Sequence, residues 1–439
     1  MVKPSIVKKA LLDIIKNMSN HSSDYVLNPG LDMTRRRKCG FEDVLLQIFS
    51  FENHSLNKEL FNFFGEKTKN LPTKSAFVQQ RDKLNDKVFP YIFQNFNSAF
   101  DFQKRFKGMH LIACDGSDVN LPKCSADKEY FVKYARSDGG YYQLHLNATF
   151  DLLEKRYCDA IIQPKPTANE ACALCTMVDR CTFDDSTLFI CDRAYPTFNL
   201  IAHFCENNKY FLCRIKDPNG PGSPFKHNHL PLNQEYDFNL RLGLTRSHEK
   251  RYKKHPECFK CLHPRRPFDY IKEDDYTSVY YISYRIVCVR LENGNLEYLA
   301  TNLPGDEFTS DDLTYIYSLR WGIETSFRSL KYALGLVHFH SVKRSFIIQE
   351  VFAKLILYNV SSLIVNYAES VRKKKNSNNF EYRVSFDDAV YIVRLYLKRK
   401  FSNKLIKALL LRHMSQIRPG EHKPRNVRSQ TAISLNNRA

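Results

Sequence analysis

The segment from Thr309 to Gly335 places apolar and polar residues with the period of an α-helix. Its apolar positions share one side of that helix and are Ile316, Leu319, Ile323, Phe327, Leu330 and Leu334. Thr309 or Ser310 suits the cap of the first turn, and Gly335 suits a left-handed residue after the last one. The pattern predicts a single amphipathic helix packed on a hydrophobic core.

The polar side of this helix holds one carboxylate among several cations. A stripe about 60° wide contains Tyr317, Arg320, Glu324 and Lys331, with Arg328 beside it. Such a stripe is usually a solvated surface, but a lone carboxylate among cations suits a bound anion together with a metal ion. Trp321, the only tryptophan, lies at the edge of the stripe, where packing is favoured over stacking on a nucleic-acid base.

An earlier region alternates in the order strand, strand, strand, helix, strand. The corresponding segments are HLIACD, YYQLHLNATF, KRYCDAIIQ, NEACALCTMVDRC and STLFICD. Two of the strands, 110–114 and 187–191, are apolar and each ends on an aspartate, Asp115 and Asp192. This order predicts an α/β fold with both aspartates at strand ends.

The same patterns divide the chain into five regions. Residues 1–100 are predicted to be helical, with a weak helix-turn-helix signal at their end in LPTKSAFVQQRDKL. The α/β alternation fills 101–213, and a β-rich insertion with Pro, Gly and polar residues fills 214–300. The amphipathic helix lies in 301–370. Residues 371–439 are predicted to be helical and to end in a basic tail.

Charge and composition favour a polyanionic partner. Lys and Arg total 66 against 47 Asp and Glu, a formal net charge of +19, which favours nucleic acid. The most apolar stretch, 351–367, contains Lys354, Asn359 and Asn366, so it is predicted to be a buried helix and not a membrane span. We expect a cytoplasmic protein, because the N-terminus lacks a signal-peptide pattern and the 13 cysteines form no disulfide framework.

The segment HPECFKCLH offers a competing metal site. His255, Cys258, Cys261 and His263 lie within nine residues, which is compatible with zinc ligands. Four ligands so close leave little chain to wrap a tetrahedron, so a zinc site is the less favoured interpretation.

Two aspartates after core strands and a glutamate on a helix suit divalent-metal chemistry on phosphodiesters. Hard Mg²⁺ prefers carboxylate oxygen, and two metal ions about 4 Å apart can activate a water and stabilise a leaving oxygen. For either aspartate alone, the simpler interpretation is a turn former at a strand end. The order of the strands and helices favours metal binding by the two aspartates and the glutamate together.

This order is ribonuclease H-like, and the chain resembles the DDE transposases of bacterial insertion sequences. The closer resemblance is to insertion-sequence family four, whose signature is Tyr, two residues, Arg, three residues, Glu, six residues, Lys. Tyr317, Arg320, Glu324 and Lys331 fit that spacing. CDGSDV and CDRAYPTFNL are similar to the family's two aspartate blocks, although Ala194 stands where glycine is common. The resemblance extends over roughly residues 71 to 430 and includes the IRPG segment of the tail.

The resemblance implies a ribonuclease H-like catalytic domain interrupted by a β-rich insertion, with helical N- and C-terminal regions. It implies that Asp115, Asp192 and Glu324 bind Mg²⁺, for which Mn²⁺ substitutes. Tyr317, Arg320 and Lys331 are then expected to hold the cleaved DNA end, and Arg328 lies beside them. The insertion's basic segment RSHEKRYKKH, 246–255, is expected to touch DNA beside the scissile phosphate or to be a solvated loop.

The implied function is DNA transposition by a cut-and-paste route, with cleavage of transposon ends and strand transfer into target DNA. The implied partners are terminal inverted repeats, target DNA and a second copy of the chain on paired ends, in the nucleoid of a bacterial cell and not at a membrane. Two alternatives stay open. One is a catalytically inactive, transposase-derived DNA-binding protein, and the other is a ribonuclease H-like nuclease without transposition.

Overall fold

The computed structural model describes most of the chain. The described residues are 2–35, 38–65, 71–124, 126–135, 139–220, 223, 225, 230–264, 266–373, 382–398, 401–412 and 414–416. The predicted basic tail, with its IRPG segment, lies outside the described residues.

Helices dominate both ends of the described chain. They are α1 (Pro4–Asn20), α2 (Phe41–Ser50), α3 (Leu56–Phe64), α4 (Lys74–Arg81), α5 (Val88–Ser98), α6 (Glu170–Asp179), α7 (Phe198–Glu206), α8 (Lys250–Lys253), α9 (Ser310–Leu319), α10 (Trp321–Tyr332), α11 (Arg344–Lys373), α12 (Phe386–Leu397) and α13 (Asn403–Arg412). The helical character expected for residues 1–100 agrees with α1–α5.

Ten strands of the described chain form one central sheet. They are β1 (His110–Leu121), β2 (Phe131–Lys133), β3 (Gly140–Asp151), β4 (Arg156–Pro164), β5 (Thr187–Cys191), β6 (Tyr210–Ile215), β7 (Tyr236–Thr245), β8 (Phe259–Cys261), β9 (Val279–Arg290) and β10 (Leu296–Thr301). The strand order is β2-β3-β1-β5-β6-β10-β9-β7-β8, with β4 also paired to β3. A separate two-stranded ladder joins β11 (Tyr382–Val384) and β12 (Met414–Gln416).

The strands predicted for residues 110–191 are present in the expected order. β1 and β4 both pair with β3 in antiparallel fashion, and β5 lies parallel to β1 with β6 parallel to β5. In register, Cys114 lies opposite Cys191, which lies opposite Cys213. The parallel strands β1, β5 and β6 therefore bring the residues that follow these cysteines to one level of the sheet.

The strands of the predicted insertion continue this same sheet. β10 pairs with β6 and with β9, and β7 pairs with β9, all antiparallel. β7 therefore lies four strands from β5, which corresponds to about 20 Å at the usual spacing between strands.

Helices cover both faces of the central sheet. On one face, α6 and α7 pack through residues such as Leu174, Ile201 and Phe204. On the other face, α10 and α11 join the N- and C-terminal helices in one large apolar cluster. Val351–Val365 of α11 is buried throughout, so the prediction of a buried helix there is confirmed. Among the described residues, Arg344–Val371 is also the one helix long and apolar enough to cross a membrane, but a core helix passes the same test.

A buried ion-pair network ties the N-terminal helices to α11. Arg81 at the end of α4 is 1% exposed, and its Nη1 donates to Glu350 Oε1 over 3.0 Å while its Nε donates to Gln349 Oε1 over 2.8 Å. His340 Nδ1 lies 3.1 Å from Glu350 Oε2 and its Nε2 lies 3.7 Å from Glu59 Oε1. The basic end of the predicted helix-turn-helix is therefore a core contact and does not face solvent.

Candidate functional site

The two aspartates of the predicted triad lie side by side on neighbouring strands. Asp192 directly follows β5, and Asp115 directly follows Cys114, the partner of Cys191 across the β1–β5 ladder. Neighbouring strands are about 4.8 Å apart. The prediction that Asp115 ends its strand is wrong, because β1 continues to Leu121. Its second half keeps pairing with β3 after β5 has ended.

The helix predicted from Thr309 to Gly335 is interrupted at Arg320. α9 begins with the predicted cap, in which Thr309 Oγ1 accepts from Asp312 N, and Gly335 has the expected positive φ of 76°. At Arg320, however, the backbone bonds shorten to the i−3 pattern, from Arg320 N to Tyr317 O and from Ile323 N to Arg320 O. The prediction of one continuous helix is therefore wrong, and two helices meet at the middle of the polar stripe.

Glu324 lies on the first turn of α10, which packs against β1. Ile323, Phe327 and Leu330 anchor this helix in the same apolar cluster as Ala113 and Val119 of β1. Ser326 adds a 2.8 Å hydrogen bond to the buried hydroxyl of Tyr157. The apolar side of α10 thus fixes the helix so that its carboxylate faces the strand with Asp115.

Arg320 connects two members of the triad, and Tyr317 contacts the third. Its Nη2 donates to Glu324 Oε1 over 2.9 Å, and its Nη1 lies 3.7 Å from Asp115 Oδ2. Tyr317 donates its hydroxyl to Asp192 Oδ1 over 3.3 Å. The polar stripe is therefore not solvated at this point: Arg320 is 5% exposed and Tyr317 is 7% exposed.

Burial shapes the electrostatics of this group. It raises the pKa of Asp115 to about 6, although the Gly116 N–H and the Arg320 guanidinium oppose the shift. Burial also raises the pKa of the Tyr317 phenol, so this group stays a neutral hydrogen-bond donor. Arg320 Nε is buried and has no acceptor among the described residues, which is costly for a charged donor.

The other residues expected at the cleaved DNA end differ in exposure. Arg328 is exposed, and Lys331 is half-buried, with a pKa that burial lowers and the nearby Asp118 partly restores. Trp321 is 54% exposed, and the Arg320 guanidinium lies 5.6 Å from its ring centroid. The preference for a packing role of Trp321 is therefore wrong, because more than half of this side chain is exposed.

The donor set suits a hard divalent cation, but its present arrangement does not enclose one. Asp115, Asp192 and Glu324 offer carboxylate oxygens, the ligands that Mg²⁺ prefers. Among the described residues, no three His, Cys, Asp or Glu side chains converge closely enough to hold a metal ion. Arg320 hydrogen-bonds one oxygen of Glu324 and lies 3.7 Å from one oxygen of Asp115, so a cation bound by these two carboxylates would compete with the guanidinium.

A second polar group next to Asp115 was not predicted from the sequence. His145 of β3 lies between Asp118 of β1 and Glu170 of α6, and Lys165 Nζ lies 2.8 Å from Asp118 Oδ1. These residues come from separate elements, so no spacing in the sequence links them. The available signal was the polar residue His145 inside the predicted strand YYQLHLNATF.

The basic residues of the insertion differ in exposure. Lys250, Arg251 and Lys253 are exposed on α8, whereas Arg246 is 5% exposed and donates to the backbone oxygens of Ile271 and Phe268. Including Arg246 in a DNA-contacting loop is therefore wrong.

The segment HPECFKCLH gives its polar atoms other partners. Cys261 Sγ donates to Ser247 O over 3.1 Å, and His255 Nδ1 lies 3.1 Å from Glu257 Oε1. The zinc question stays a prediction to be tested by metal analysis.

Comparison with known proteins identifies a family for more than half of the chain. Among solved structures, a piggyBac transposase synaptic complex with hairpin DNA is similar to the chain at a TM-score of 0.46 and 11% identity. The match covers 96% of this chain and 87% of that one. No curated protein matches the chain. The family model described as a transposase DDE domain matches residues 107–360, more than half of the 439 residues, and these include β1, β5 and α10. The chain therefore belongs to the transposase DDE domain family.

Proposed function

We propose that the protein is the transposase of a bacterial insertion sequence, which cleaves the ends of its element and joins them to target DNA. The observation that supports this most is the placement of the triad. Asp115 and Asp192 follow paired cysteines on adjacent parallel strands, and Arg320 links Asp115 to Glu324. The strand order β4-β3-β1-β5-β6, with β5 and β6 parallel to β1, supports a ribonuclease H-like catalytic domain.

In this proposal Asp115, Asp192 and Glu324 hold divalent cations, with Mg²⁺ as the physiological ion and Mn²⁺ as a substitute. Such ions, when bound, supply Lewis-acid activation of water and charge stabilisation at a phosphodiester. The rigid strands β1 and β5 fix two of the carboxylates, and α10 brings the third.

The DNA end is held by the polar residues around the α9–α10 break. The guanidinium of Arg320 is a planar donor suited to phosphate oxygen, and its unpaired Nε would gain an acceptor there. Lys331 and Arg328 add charge along α10, and the Tyr317 hydroxyl stays with Asp192. The ring of Trp321 is 54% exposed, and a base that stacks on it would lie beside Arg320.

The proposed chemistry includes two kinds of phosphoryl transfer, and a cut-and-paste route also requires cleavage of the second strand at each element end. In the first, water attacks the phosphorus at the element end, the phosphorus–O3′ bond breaks, and a free 3′-hydroxyl and a 5′-phosphate result. In the second, that 3′-hydroxyl attacks a phosphodiester of target DNA and displaces a 3′-oxygen of the target. A cut-and-paste route on paired ends calls for two copies of the chain, each acting on one terminal inverted repeat, in the nucleoid of a bacterial cell.

The test is cleavage of the element's own ends. The purified protein is incubated with labelled end DNA or a scrambled duplex, with Mg²⁺, Mn²⁺ or EDTA, and with a supercoiled target plasmid. We expect end-specific cleavage and joining with metal, and none for Asp115→Ala, Asp192→Ala or Glu324→Ala, while gel shifts of the three variants stay near wild type. Binding without cleavage by the wild type would favour the inactive DNA-binding protein. Cleavage of both duplexes without joining would favour a nuclease.

A further inference from the structure

A buried histidine on the central sheet lies between two carboxylates from different elements. His145 of β3 is only 4% exposed in its side chain, with Nδ1 2.5 Å from Asp118 Oδ1 and Nε2 2.9 Å from Glu170 Oε1. Asp118 belongs to the second half of β1, and Glu170 is the first residue of α6. These three side chains therefore link β1, its neighbour β3 and α6.

His145 and Glu170 lie against the backbone directly after Asp115. A Cβ atom at position 116 would lie 2.3 Å from His145 Nε2 and 2.8 Å from Glu170 Oε1, distances that real Cβ atoms do not show. Gly116 therefore allows the imidazole and the carboxylate to lie directly against the chain. Gly116 N in turn donates to Asp115 Oδ1 over 2.9 Å.

His145 and Glu170 contact the chain on the face of the sheet opposite to the Asp115 side chain. Side chains alternate along a strand, so Gly116 and Asp118 face the side of the sheet with α6, while Asp115 faces the side with α10. The His145–Glu170 pair thus presses on one side of the peptide whose other side presents the carboxylate to Glu324 and Arg320. Movement of this pair would move Asp115 without any contact to DNA.

We propose that His145 and Glu170 are positioning residues for the catalytic aspartate: they fix the Asp115–Gly116 peptide and so set how Asp115 binds a divalent cation. This inference rests on the proposed function. It assigns a role to three residues, His145, Glu170 and Gly116, that lie outside the triad and outside the four-residue signature.

The charges of His145, Asp118 and Glu170 favour a fixed arrangement of these three side chains. Burial alone would lower the pKa of His145, but its hydrogen bond with Asp118 and the nearby carboxylate of Glu170 raise it to about 8, so the imidazole stays protonated near neutral pH. The groups that face the imidazole are Asp118, Glu170 and, through Asp118, Lys165. A protonated histidine held by two carboxylates has little freedom to rotate away from Gly116.

The chain offers a matched control on the same side of the sheet. His203 in the last turn of α7 also lies between two carboxylates, with Nδ1 2.7 Å from Asp179 Oδ1 and Nε2 2.9 Å from Asp269 Oδ2. α7 starts after Asp192 and returns to the beginning of β6, so His203 lies toward the opposite edge of the sheet from the triad. It shares the chemistry of His145 but not its position.

The experiment compares Glu170→Gln, His145→Leu and Gly116→Ala with His203→Leu in the full-length protein. Mn²⁺ binding to the protein alone is measured by electron paramagnetic resonance, the Mg²⁺ concentration for half-maximal cleavage by titration, and the affinity for end DNA in EDTA by gel shift. We expect about ten-fold weaker Mn²⁺ binding and a similar rise in half-saturating Mg²⁺ for the first three, the size usual for partners of metal ligands. Affinity for DNA in EDTA should stay at the wild-type value, and His203→Leu should match the wild type in every metal measurement.

Glu170→Gln decides the outcome, because it keeps the shape of a half-buried side chain and is the least disruptive change. If this variant melts like the wild type and binds Mn²⁺ equally well, the inference is overturned, even where His145→Leu fails to fold. Equal losses of metal binding in His203→Leu and Glu170→Gln would also overturn it, since they would reflect general loosening. A wild-type protein that binds no Mn²⁺ and cleaves no end DNA in Mg²⁺ would overturn the proposed function and this inference with it.

Discussion

Arg320 donates to Glu324 over 2.9 Å while its other terminal nitrogen lies 3.7 Å from Asp115, so one guanidinium spans two members of the triad. A divalent cation bound by these carboxylates would compete with the guanidinium, and phosphate oxygen is the natural alternative partner for the guanidinium. The two proposed ligands of the site, metal and DNA, would therefore be linked through one side chain. DNA that draws Arg320 away would free carboxylates for metal.

Replacement of Arg320 by Gln is expected to strengthen metal binding and weaken DNA binding at once. Without the guanidinium the carboxylates repel one another more, so Mn²⁺ binding to the protein alone should become several-fold tighter. A plot of log affinity for end DNA against log salt concentration should become less steep, with a slope smaller in magnitude by about 0.9, the value of one phosphate contact. Calorimetry with Mn²⁺ and gel shifts at several salt concentrations measure the two effects.

Arg328→Gln serves as the control for this pair of measurements. Arg328 is an exposed residue of the same helix, so its removal should change the salt slope without changing Mn²⁺ binding. Unchanged or weaker Mn²⁺ binding in Arg320→Gln would contradict the competition between guanidinium and metal.

Trp321 is expected to report on DNA at the site. It is the only tryptophan in the chain and is 54% exposed, so its fluorescence should be quenched when a base stacks on it. Trp321→Ala should weaken binding to end DNA by about 1–3 kcal/mol, while Trp321→Phe should retain most of the affinity. Both should stay within about 0.5 kcal/mol of the wild type in free energy of unfolding. Fluorescence that end DNA leaves unchanged would argue against stacking.

Much of the catalytic core could be predicted from local patterns. Apolar runs, alternation and helix caps locate β1, β3, β4, α6 and β5, because each signal lies within the element itself. The neighbourhood of Asp115 and Asp192 also follows, since each comes directly after an apolar run and these two runs pair in parallel, with Cys114 opposite Cys191. The left-handed Gly335 and the Thr309 cap were likewise local signals.

The rest depends on contacts between distant segments. The break at Arg320 and the burial of Tyr317 arise where the chain meets Asp192 and Asp115, and helical period alone predicts a solvated stripe. His145 and Glu170 meet only because β3 and α6 converge on Gly116. The burial of Arg81 depends on Glu350 of α11, which is far away in the sequence and lies beside it in the fold.

The buried network around Glu350 is expected to make stability depend on pH in the acid range. Burial alone would raise the pKa of Glu350, but Arg81 and His340 lower it to about 2. Because the folded value lies below the ordinary value of 4.5, the stabilisation is complete above pH 4.5 and is lost as the pH falls toward 2. Glu350→Gln should cost about 3–5 kcal/mol in free energy of unfolding at pH 7, because it leaves Arg81 buried and unpaired.

Urea unfolding of wild type and Glu350→Gln between pH 7 and pH 3 measures this effect. The difference between the two proteins should narrow below pH 4.5. Glu273→Gln, at an exposed site, should follow the wild type throughout. A difference that stays constant from pH 7 to pH 3 would show that the carboxylate is not the source of the stabilisation.

The basic segment of the insertion is expected to separate into a structural and a DNA-contacting part. Arg246→Ser removes a buried donor from the backbone oxygens of Ile271 and Phe268, so the free energy of unfolding should fall by about 2 kcal/mol. Joint replacement of Lys250, Arg251 and Lys253 by Ser should leave stability unchanged, because all three are exposed.

The exposed triplet is expected to contact duplex DNA at some distance from the scissile phosphate. It follows Thr245, the end of β7, whereas Phe238 is the β7 residue level with Cys191 across the sheet. Four strand spacings and seven residue rises separate Thr245 from the level of Asp192, so the distance is about 30 Å, a span of roughly nine base pairs. The triple variant should therefore lose affinity and salt slope on end DNA that extends at least about nine base pairs past the cleavage site on the bound side. On a shorter duplex it should bind like the wild type. Equal binding of both proteins to the long duplex would leave α8 as a solvated helix without contact to DNA.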